Sequence, residues 1–189
     1  MKEVIQVHLY CNMGQDQKSK DYLPVFKVKI GDPFPEQELR IENGTYLDLK
    51  NQSSQWIVLF FYPQDDSPTC TKQACNLRNG YTELQSKQIL LLGVSPDNER
   101  KHQRFIQKHQ LPYSLVVDED NKLAKKLGVF GKKKFMGIVY EGVHRTTFVL
   151  DKDLKIYGII YPVVSGKHVE QIIHLTPGPA QWRGARGEV

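Results

Sequence analysis

The 189-residue sequence has only three cysteines, and no apolar run in it approaches the ~20 residues of a membrane span. So few cysteines, one of them unpaired by count, do not predict a secreted disulfide scaffold and fit a reducing compartment better. The sequence also lacks a Cys-x-x-Cys pair, a Gly-rich phosphate loop and a nicotinamide or flavin fingerprint. We therefore predict no metal, no cofactor and no general disulfide oxidoreductase.

The first residues of the chain do not resemble an export signal. Glu3, Gln6 and His8 stand where a signal peptide needs an unbroken apolar core, so we expect a cytoplasmic protein with no membrane partner. Cys11 follows Leu-Tyr rather than small residues, which disfavours a lipoprotein site. We interpret Cys11 as a bystander thiol, with an intermolecular disulfide as the alternative.

The positive charge of the chain is concentrated in one segment. The formal net charge is +5, and six lysines lie between residues 122 and 134 with no acidic residue among them. A single cluster on a predicted helix and its following loop does not indicate nucleic-acid binding, which needs a broader basic surface. We favour a solvated face over a docking site for an acidic partner.

Apolar patterns predict alternating strands and helices. Strands are expected at 5–9, 26–30, 45–49, 56–62, 88–94, 114–117, 144–150 and 155–161, the last two as a hairpin. Helices are expected at 68–86, from a Ser95-Pro96-Asp97 cap to about residue 110, at 121–127, and after a Ser165 cap. This order predicts an α/β protein with a central mixed β-sheet covered by helices on both faces.

The strongest functional signal is Cys70. The apolar strand from Trp56 to Tyr62 stops at Pro63, Ser67 resembles a helix N-cap, and Pro68 suits the first helical position. The Cys70 sulfur then lies in the first helical turn, where unpaired N–H groups and the helix dipole favour the nucleophilic thiolate. The alternative is a buried structural cysteine, because Cys70 also begins the apolar stripe of this helix.

Cys75 lies five residues further along the same predicted helix. Five residues turn the helix by ~500°, which leaves the two cysteines about 140° apart and ~7.5 Å apart along the axis. A disulfide needs Cα atoms within about 7 Å, so Cys70 and Cys75 cannot bond while the helix is intact. If both belong to one reaction cycle, the first turn must unwind; otherwise Cys75 is an inert helix cysteine.

Two separated motifs resemble one known family. Pro63, Ser67 and Cys70 form Pro-x-x-x-(Thr/Ser)-x-x-Cys, which resembles the peroxiredoxins, thiol peroxidases of thioredoxin-like fold. Cys75, and the stretch 130–153 with its Arg-Thr-Thr-Phe, resemble the peroxiredoxin Q or bacterioferritin-comigratory subfamily. The likeness implies a thioredoxin-like domain at 24–175, an N-terminal extension with a short strand at 1–23, and a flexible tail at 176–189.

The resemblance also implies a reaction cycle and its site residues. Cys70 would be the peroxidatic residue and Cys75 the resolving one, forming an intramolecular disulfide after peroxide oxidises Cys70. Ser67 and Arg145 would donate hydrogen bonds to the reacting atoms, and Pro63 would shield the thiolate from water. The implied substrates are hydrogen peroxide and organic hydroperoxides, the reductant is thioredoxin or a similar dithiol, and the chain is a monomer that serves antioxidant redox homeostasis.

Several alternatives stay open at this point. The enzyme could be a one-cysteine peroxidase resolved by an external thiol, and a different class is a peroxide-sensing switch or holdase. Without the resemblance, Arg145 would be assigned to a salt bridge with Asp65, Asp66 or Glu141. Ser67 and Thr69 depart from the subfamily's usual Thr and small residue, so we expect activity to survive with a slower rate.

Three histidines give weaker signals. His102 and His109 lie seven residues apart on one helix, which is the wrong spacing for a metal pair and predicts core or boundary residues. His144 precedes Arg145 in a predicted strand and should point to the opposite side, away from the site.

Overall fold

A mixed five-stranded β-sheet forms the centre of the protein in a computed structural model that describes residues 21–177. The strands are β1 Glu38–Arg40, β2 Tyr46–Asp48, β3 Trp56–Phe61, β4 Ile89–Ser95, β5 Ser114–Val117, β6 Phe130–Phe135, β7 Ile138–Val143, β8 Thr146–Leu150 and β9 Ile156–Ile160. The helices are α1 Pro68–Asn79, α2 Tyr81–Ser86, α3 Glu99–His109, α4 Lys122–Leu127 and α5 His168–Leu175. The predicted strand at 5–9, Cys11 and the tail from residue 178 lie outside the described residues.

The central sheet has the strand order β5-β4-β3-β8-β9. Strand β3 pairs in parallel with β4 and antiparallel with β8, so it lies in the middle with a neighbour on each side. All six residues of β3 are buried, because alternate side chains enter two different apolar clusters. Helix α4 covers one face and α1, α2, α3 and α5 contribute to the other, which confirms the thioredoxin-like α/β fold.

The helix after β3 has the expected start and an additional break. Cys70, Ala74 and Leu77 are buried on one side of α1, as the predicted apolar stripe requires. The predicted helix at 68–86 is divided at Gly80 into α1 and α2. A Cβ atom at Gly80 would lie 2.6 Å from a methyl group of Val169, so only glycine permits this approach of α5.

Two predicted helix caps were wrong. The side chain of Asn98 caps α3 by accepting a hydrogen bond from the Lys101 amide, because Ser95 is still part of β4. The N-cap position of α5 is Lys167, and Ser165 lies in the turn before it. The Ser-Pro pattern correctly indicated a turn at 95–97. It placed the N-cap of the helix at residue 95, three residues before its position at Asn98.

Two strand predictions also differ from the structure. Residues 26–30 form no strand, because this segment makes single hydrogen bonds such as Lys27 N–H to the Leu127 carbonyl instead of a continuous ladder. The lysine-rich segment predicted as helix and loop ends in a β6–β7 hairpin. Met136 and Gly137 both have positive φ, as a tight two-residue hairpin turn requires.

Within residues 21–177, no helix is long and apolar enough to cross a membrane.

Candidate active site

Cys70 lies in the first turn of α1, as the sequence predicts. Ser67 has extended backbone angles at the N-cap position, Pro68 begins the helix, and the Thr71 amide donates to the Ser67 carbonyl at 2.8 Å. The Cys70 side chain is a free thiol and only 2% exposed. The amides of Thr69 and Cys70 come before the first hydrogen bond of the helix, so they are available to a negative charge beside the sulfur.

The Ser67 hydroxyl does not make the helix-capping hydrogen bond that its N-cap position suggests. It makes no side-chain cap of α1 and donates to the Gln64 carbonyl at 3.3 Å. Pro63 is half-buried at the start of the same loop. Pro63 and Ser67 thus precede Cys70 by seven and three residues, and the Ser67 hydroxyl would have to rotate to donate to the peroxide that the resemblance implies.

Arg145 contacts the Cys70 sulfur. It stands between β7 and β8, and its Nη2 group donates to Cys70 Sγ at 3.1 Å while Nη1 donates to Gln73 Oε1. Among the described residues, Arg145 forms none of the suggested salt bridges to Asp65, Asp66 or Glu141, and the two aspartates have other partners. A permanently charged guanidinium at this distance stabilises negative charge on the sulfur.

Gln73 belongs to a buried hydrogen-bonded chain that the sequence did not reveal. Its Nε2 group donates to His168 Nδ1 at 3.0 Å, and the other ring nitrogen of His168 lies 2.8 Å from Thr147 Oγ1. The side chains of Gln73, Thr147 and His168 have no solvent exposure. The chain thus runs from Thr147 in β8, through α5 and α1, to Arg145 and the Cys70 sulfur.

His168 is neutral in this chain. Burial, followed by the nearby charge of Arg145, lowers the pKa of its ring to about 3. Because Nδ1 accepts from Gln73, the ring proton is on Nε2 and points at Thr147. No sequence motif predicts such a contact, since Gln73 and His168 are 95 residues apart.

A second polar cluster holds the loop before Cys70. Asp65 accepts a hydrogen bond from the Tyr62 hydroxyl at 2.7 Å and pairs with His102 Nδ1 at 2.8 Å, while its amide donates to Asp97 at 2.7 Å. His102 and His109 are thus structural residues. His102 pairs with Asp65, and His109 Nε2 lies 2.8 Å from the carboxylate of Asp66. This cluster fixes residues 63–67 and so the N-terminus of α1.

The β6–β7 hairpin adds a second cation near the site. Lys133 donates to the Val143 carbonyl at 2.9 Å, and its pKa is lowered, first by burial and then by the charge of Arg145. His144 is buried beside Gly131, and burial, followed by the Lys133 charge, lowers its pKa to about 4. The Lys133 charge is thus near enough to interact with both Arg145 and Cys70.

Cys75 is a second free thiol, half-buried in the middle of α1. It lies near Tyr113, whose hydroxyl donates to the Ala74 carbonyl at 2.9 Å and whose pKa is raised, first by burial and then by Cys75. In a regular helix, Cα atoms five residues apart are separated by about 8.6 Å. Cys70 and Cys75 are therefore too far apart to form a disulfide in this conformation.

Among the described residues, no three histidine, cysteine, aspartate or glutamate side chains are grouped so that they could hold a metal ion.

Comparison with known proteins gives a consistent set of similarities. Residues 30–159 match the model of the AhpC/TSA family. The chain is 39% identical over 126 residues to peroxiredoxin Bcp of Bacillus subtilis, covering 67% of this chain and 80% of that protein. It is 35% identical over 147 residues to peroxiredoxin Bcp of Escherichia coli, covering 78% and 94%.

Solved structures are similar over most of the chain. Peroxidoxin BcpB of Mycobacterium tuberculosis has a TM-score of 0.69 and 31% identity, covering 85% of this chain and 99% of that one. Peroxiredoxin Q of Xanthomonas campestris has a TM-score of 0.68 and 25% identity, covering 85% and 98%.

Proposed function

Because this chain belongs to the AhpC/TSA family and to its peroxiredoxin Q, or bacterioferritin-comigratory, subfamily, we propose that it is a thiol peroxidase with Cys70 as the peroxidatic residue. The chain reduces peroxides at the expense of a thiol. The single observation that supports the assignment of Cys70 is the 3.1 Å contact between its sulfur and Arg145 Nη2 at the N-terminus of α1. A fixed positive charge and free amides at one sulfur are what a thiolate nucleophile needs.

In the first step the Cys70 thiolate attacks the outer oxygen of the peroxide. The S–O bond forms as the O–O bond breaks, sulfur is oxidised to the sulfenic acid, and the leaving alkoxide or hydroxide takes up a proton as the alcohol or water. Arg145, the first-turn amides and the Ser67 hydroxyl would stabilise the charge that moves from sulfur to oxygen. Hydrogen peroxide and organic hydroperoxides are the proposed substrates.

In the second step Cys75 attacks the sulfenic sulfur of Cys70. A disulfide forms and water leaves, and an external dithiol of the thioredoxin type then reduces the disulfide by exchange. Because the two cysteines are too far apart in the intact helix, the first turn of α1 must unwind between the two steps.

The hydrogen bonds of α1 indicate which part of the helix moves. Beyond residue 72 the helix is tethered to other elements, by Gln73 to His168, by Asn76 to Gly166 and by Arg78 to His109. Among the described residues, the only side-chain hydrogen bond that joins residues 68–72 to another element is that from Arg145 to Cys70. Oxidation of Cys70 alters that one bond, so the untethered turn is the segment that we expect to unwind.

We further propose that residues 24–175 form the thioredoxin-like domain and that the protein acts as a cytoplasmic monomer. Phe26 and Leu175 are the outermost described residues that pack on the two apolar clusters, so we expect a fragment of residues 24–175 to fold. Peroxidase activity and the sedimentation coefficient of a 24–175 fragment would check the boundary and the monomer.

Peroxide consumption in the presence of thioredoxin, thioredoxin reductase and NADPH tests the proposed function. We expect sustained turnover, its loss in Cys70→Ser and Cys75→Ser, and no change in the matched control Cys11→Ser. Turnover by Cys75→Ser at the wild-type rate would contradict the resolving role and favour a one-cysteine peroxidase. A single oxidation without turnover, whatever the dithiol, would favour a redox switch.

A further inference from the structure

We propose that Thr147 and His168 are positioning residues that act through Gln73 to hold the Arg145 guanidinium on the Cys70 sulfur. This inference rests on the proposed function, and it assigns a role to residues that lie away from the reacting atoms. Its basis is a series of four consecutive hydrogen bonds, which join Thr147 with His168, His168 with Gln73, Gln73 with Arg145, and Arg145 with the Cys70 sulfur.

Arg145 determines which group donates and which group accepts in each of these hydrogen bonds. A guanidinium only donates, so the Gln73 side chain must present its oxygen to Arg145 and its amino group to His168. His168 must then accept at Nδ1 and carry its proton at Nε2. That proton needs an acceptor in a site without solvent, and the Thr147 hydroxyl provides it at 2.8 Å.

A competing orientation of the Gln73 amide explains why Thr147, which does not contact Arg145, affects the position of Arg145. The amide of Gln73 can turn over with little change in shape, and this would place its amino group against the guanidinium. If Thr147 cannot accept, the Nε2 proton of His168 is left buried and unpaired, which costs about 1–3 kcal/mol. The other tautomer removes the unpaired proton and leaves an unpaired acceptor at Nε2, but it donates from Nδ1 to Gln73 and so favours the inverted amide that repels Arg145.

The hydrogen-bonded residues are also held firmly enough for a change at Thr147 to affect Arg145. Thr147, His168 and Gln73 are fully buried on three different elements, so none of them can be replaced by water. Phe60 packs edge-to-face on the His168 ring at 5.9 Å and restricts its rotation. Arg145 is only half-buried and stands outside regular strands, so Gln73 anchors the amino group that does not contact Cys70.

Adjacent threonines of β8 provide the test with a matched control. Thr147→Val keeps the side-chain shape and removes the acceptor for His168, while Thr147→Ser keeps the hydroxyl. Thr146→Val makes the same change at a buried neighbour whose hydroxyl donates to the His144 carbonyl at 3.1 Å. Two quantities are measured for each variant, the second-order rate of Cys70 oxidation by hydrogen peroxide and the pH dependence of Cys70 alkylation by iodoacetamide.

We expect Thr147→Val to be oxidised about tenfold more slowly, and its alkylation profile to move to higher pH, because Arg145 no longer holds the thiolate. Thr147→Ser should restore both values, and Thr146→Val should stay within about twofold of the wild type. Equal rates and profiles in Thr147→Val and Thr146→Val would overturn the inference.

A second pair of variants covers the case in which Thr147→Val does not fold. His168→Asn places an amide oxygen where Nδ1 accepts from Gln73, whereas His168→Leu has no acceptor. The inference predicts faster oxidation of Cys70 in His168→Asn than in His168→Leu, and equal rates would contradict it. If wild-type Cys70 itself fails to react with peroxide, it is the proposed function that fails.

Discussion

At the scale of single residues, one guanidinium makes two contacts in the candidate site. Arg145 donates to the Cys70 sulfur through one amino group and to Gln73 through the other. A lysine has a single ammonium group on a flexible stem, so it cannot reproduce this planar, two-point arrangement. Substitutions of Arg145 can therefore separate the effect of its charge on Cys70 from the effect of its position.

Replacing Arg145 by Lys should slow Cys70 oxidation even though the charge is kept. We expect a loss of about 10²-fold in Arg145→Gln, similar to the loss of one charge-stabilising donor in other active sites, and a loss of intermediate size in Arg145→Lys. Stopped-flow measurement of the second-order rate with hydrogen peroxide gives both values.

Arg104, exposed on α3, supplies the control. Arg104→Gln and Arg104→Lys should react as the wild type does. An Arg145→Gln variant that reacts at the wild-type rate would show that Arg145 is a structural residue only.

The residues of the site were predictable to unequal degrees. Cys70 was found from local signals, because a Pro-x-x-x-Ser-x-x-Cys segment after an apolar strand fixes the helix start in the sequence itself. Arg145 was named from the family resemblance, since nothing local distinguishes its contact with Cys70 from a salt bridge. Gln73 and His168 were missed, because a hydrogen bond between side chains 95 residues apart is created only by the packing of α1 on α5.

At the scale of elements, α1 combines a tethered body with an untethered first turn. The body contacts α5, the turn before α5 and the last residue of α3, while residues 68 and 69 are exposed and make no side-chain hydrogen bond to the rest of the described chain. Local unwinding of one turn is thus less costly here than unwinding of the body. The helix propensity of the turn should then control the rate of disulfide formation.

Substitution of Thr69 tests this link. Gly disfavours helix by about 1 kcal/mol relative to Ala, so Thr69→Gly should convert the Cys70 sulfenic acid to the disulfide about fivefold faster than Thr69→Ala. Rapid quenching followed by mass analysis measures this step separately from Cys70 oxidation.

Thr82 is equally exposed in α2 and outside the moving turn. Thr82→Gly and Thr82→Ala should not differ in the same experiment. Equal disulfide rates in the two Thr69 variants would mean that unwinding of this turn does not limit the second step.

The elements also show where patterns succeed and fail. Strand β3 was predicted within one residue, because a run of apolar residues between turn signals has few other interpretations. The β6–β7 hairpin was missed, since three consecutive lysines give no alternation and its pairing is decided by the turn at Met136 and Gly137. Residues 26–30 alternate like a strand because Phe26 and Val28 pack on the core, without a partner strand to complete a ladder.

At the scale of the whole molecule, two buried histidines make stability depend on pH. The pKa of His168 is lowered to about 3 and that of His144 to about 4, in each case mainly by burial. Below the ordinary value near 6.5, the unfolded chain binds protons at these rings while the folded protein does not. Their contribution to stability is therefore complete above about pH 6.5 and is lost as the pH falls toward about 4.

Urea denaturation between pH 6 and pH 4.5 measures this dependence. The two rings together should lower the free energy of unfolding by up to about 2.7 kcal/mol for each pH unit. His144→Gln removes one of the two titrating rings at a position whose Nε2 has no hydrogen-bond partner among the described residues. This variant should show about half the slope, and an unchanged slope would contradict the linkage.

The overall architecture followed from the order of strands and helices, and the two-sided burial of the central strand confirmed it. Parallel neighbours require crossovers, and the helices of those crossovers cover the sheet. The order of elements does not reveal that α1, α5 and β8 meet at one buried series of hydrogen bonds. Those bonds depend on how the side chains of Gln73, His168 and Thr147 pack in the core.

Peptide mapping by mass spectrometry after one equivalent of hydrogen peroxide, without reductant, tests the proposed two-cysteine cycle most directly. The cycle predicts a loss of two hydrogens and a disulfide that links Cys70 to Cys75. A stable gain of one oxygen on Cys70 would contradict the resolving role of Cys75, and an unmodified Cys70 would contradict its role as the peroxidatic residue.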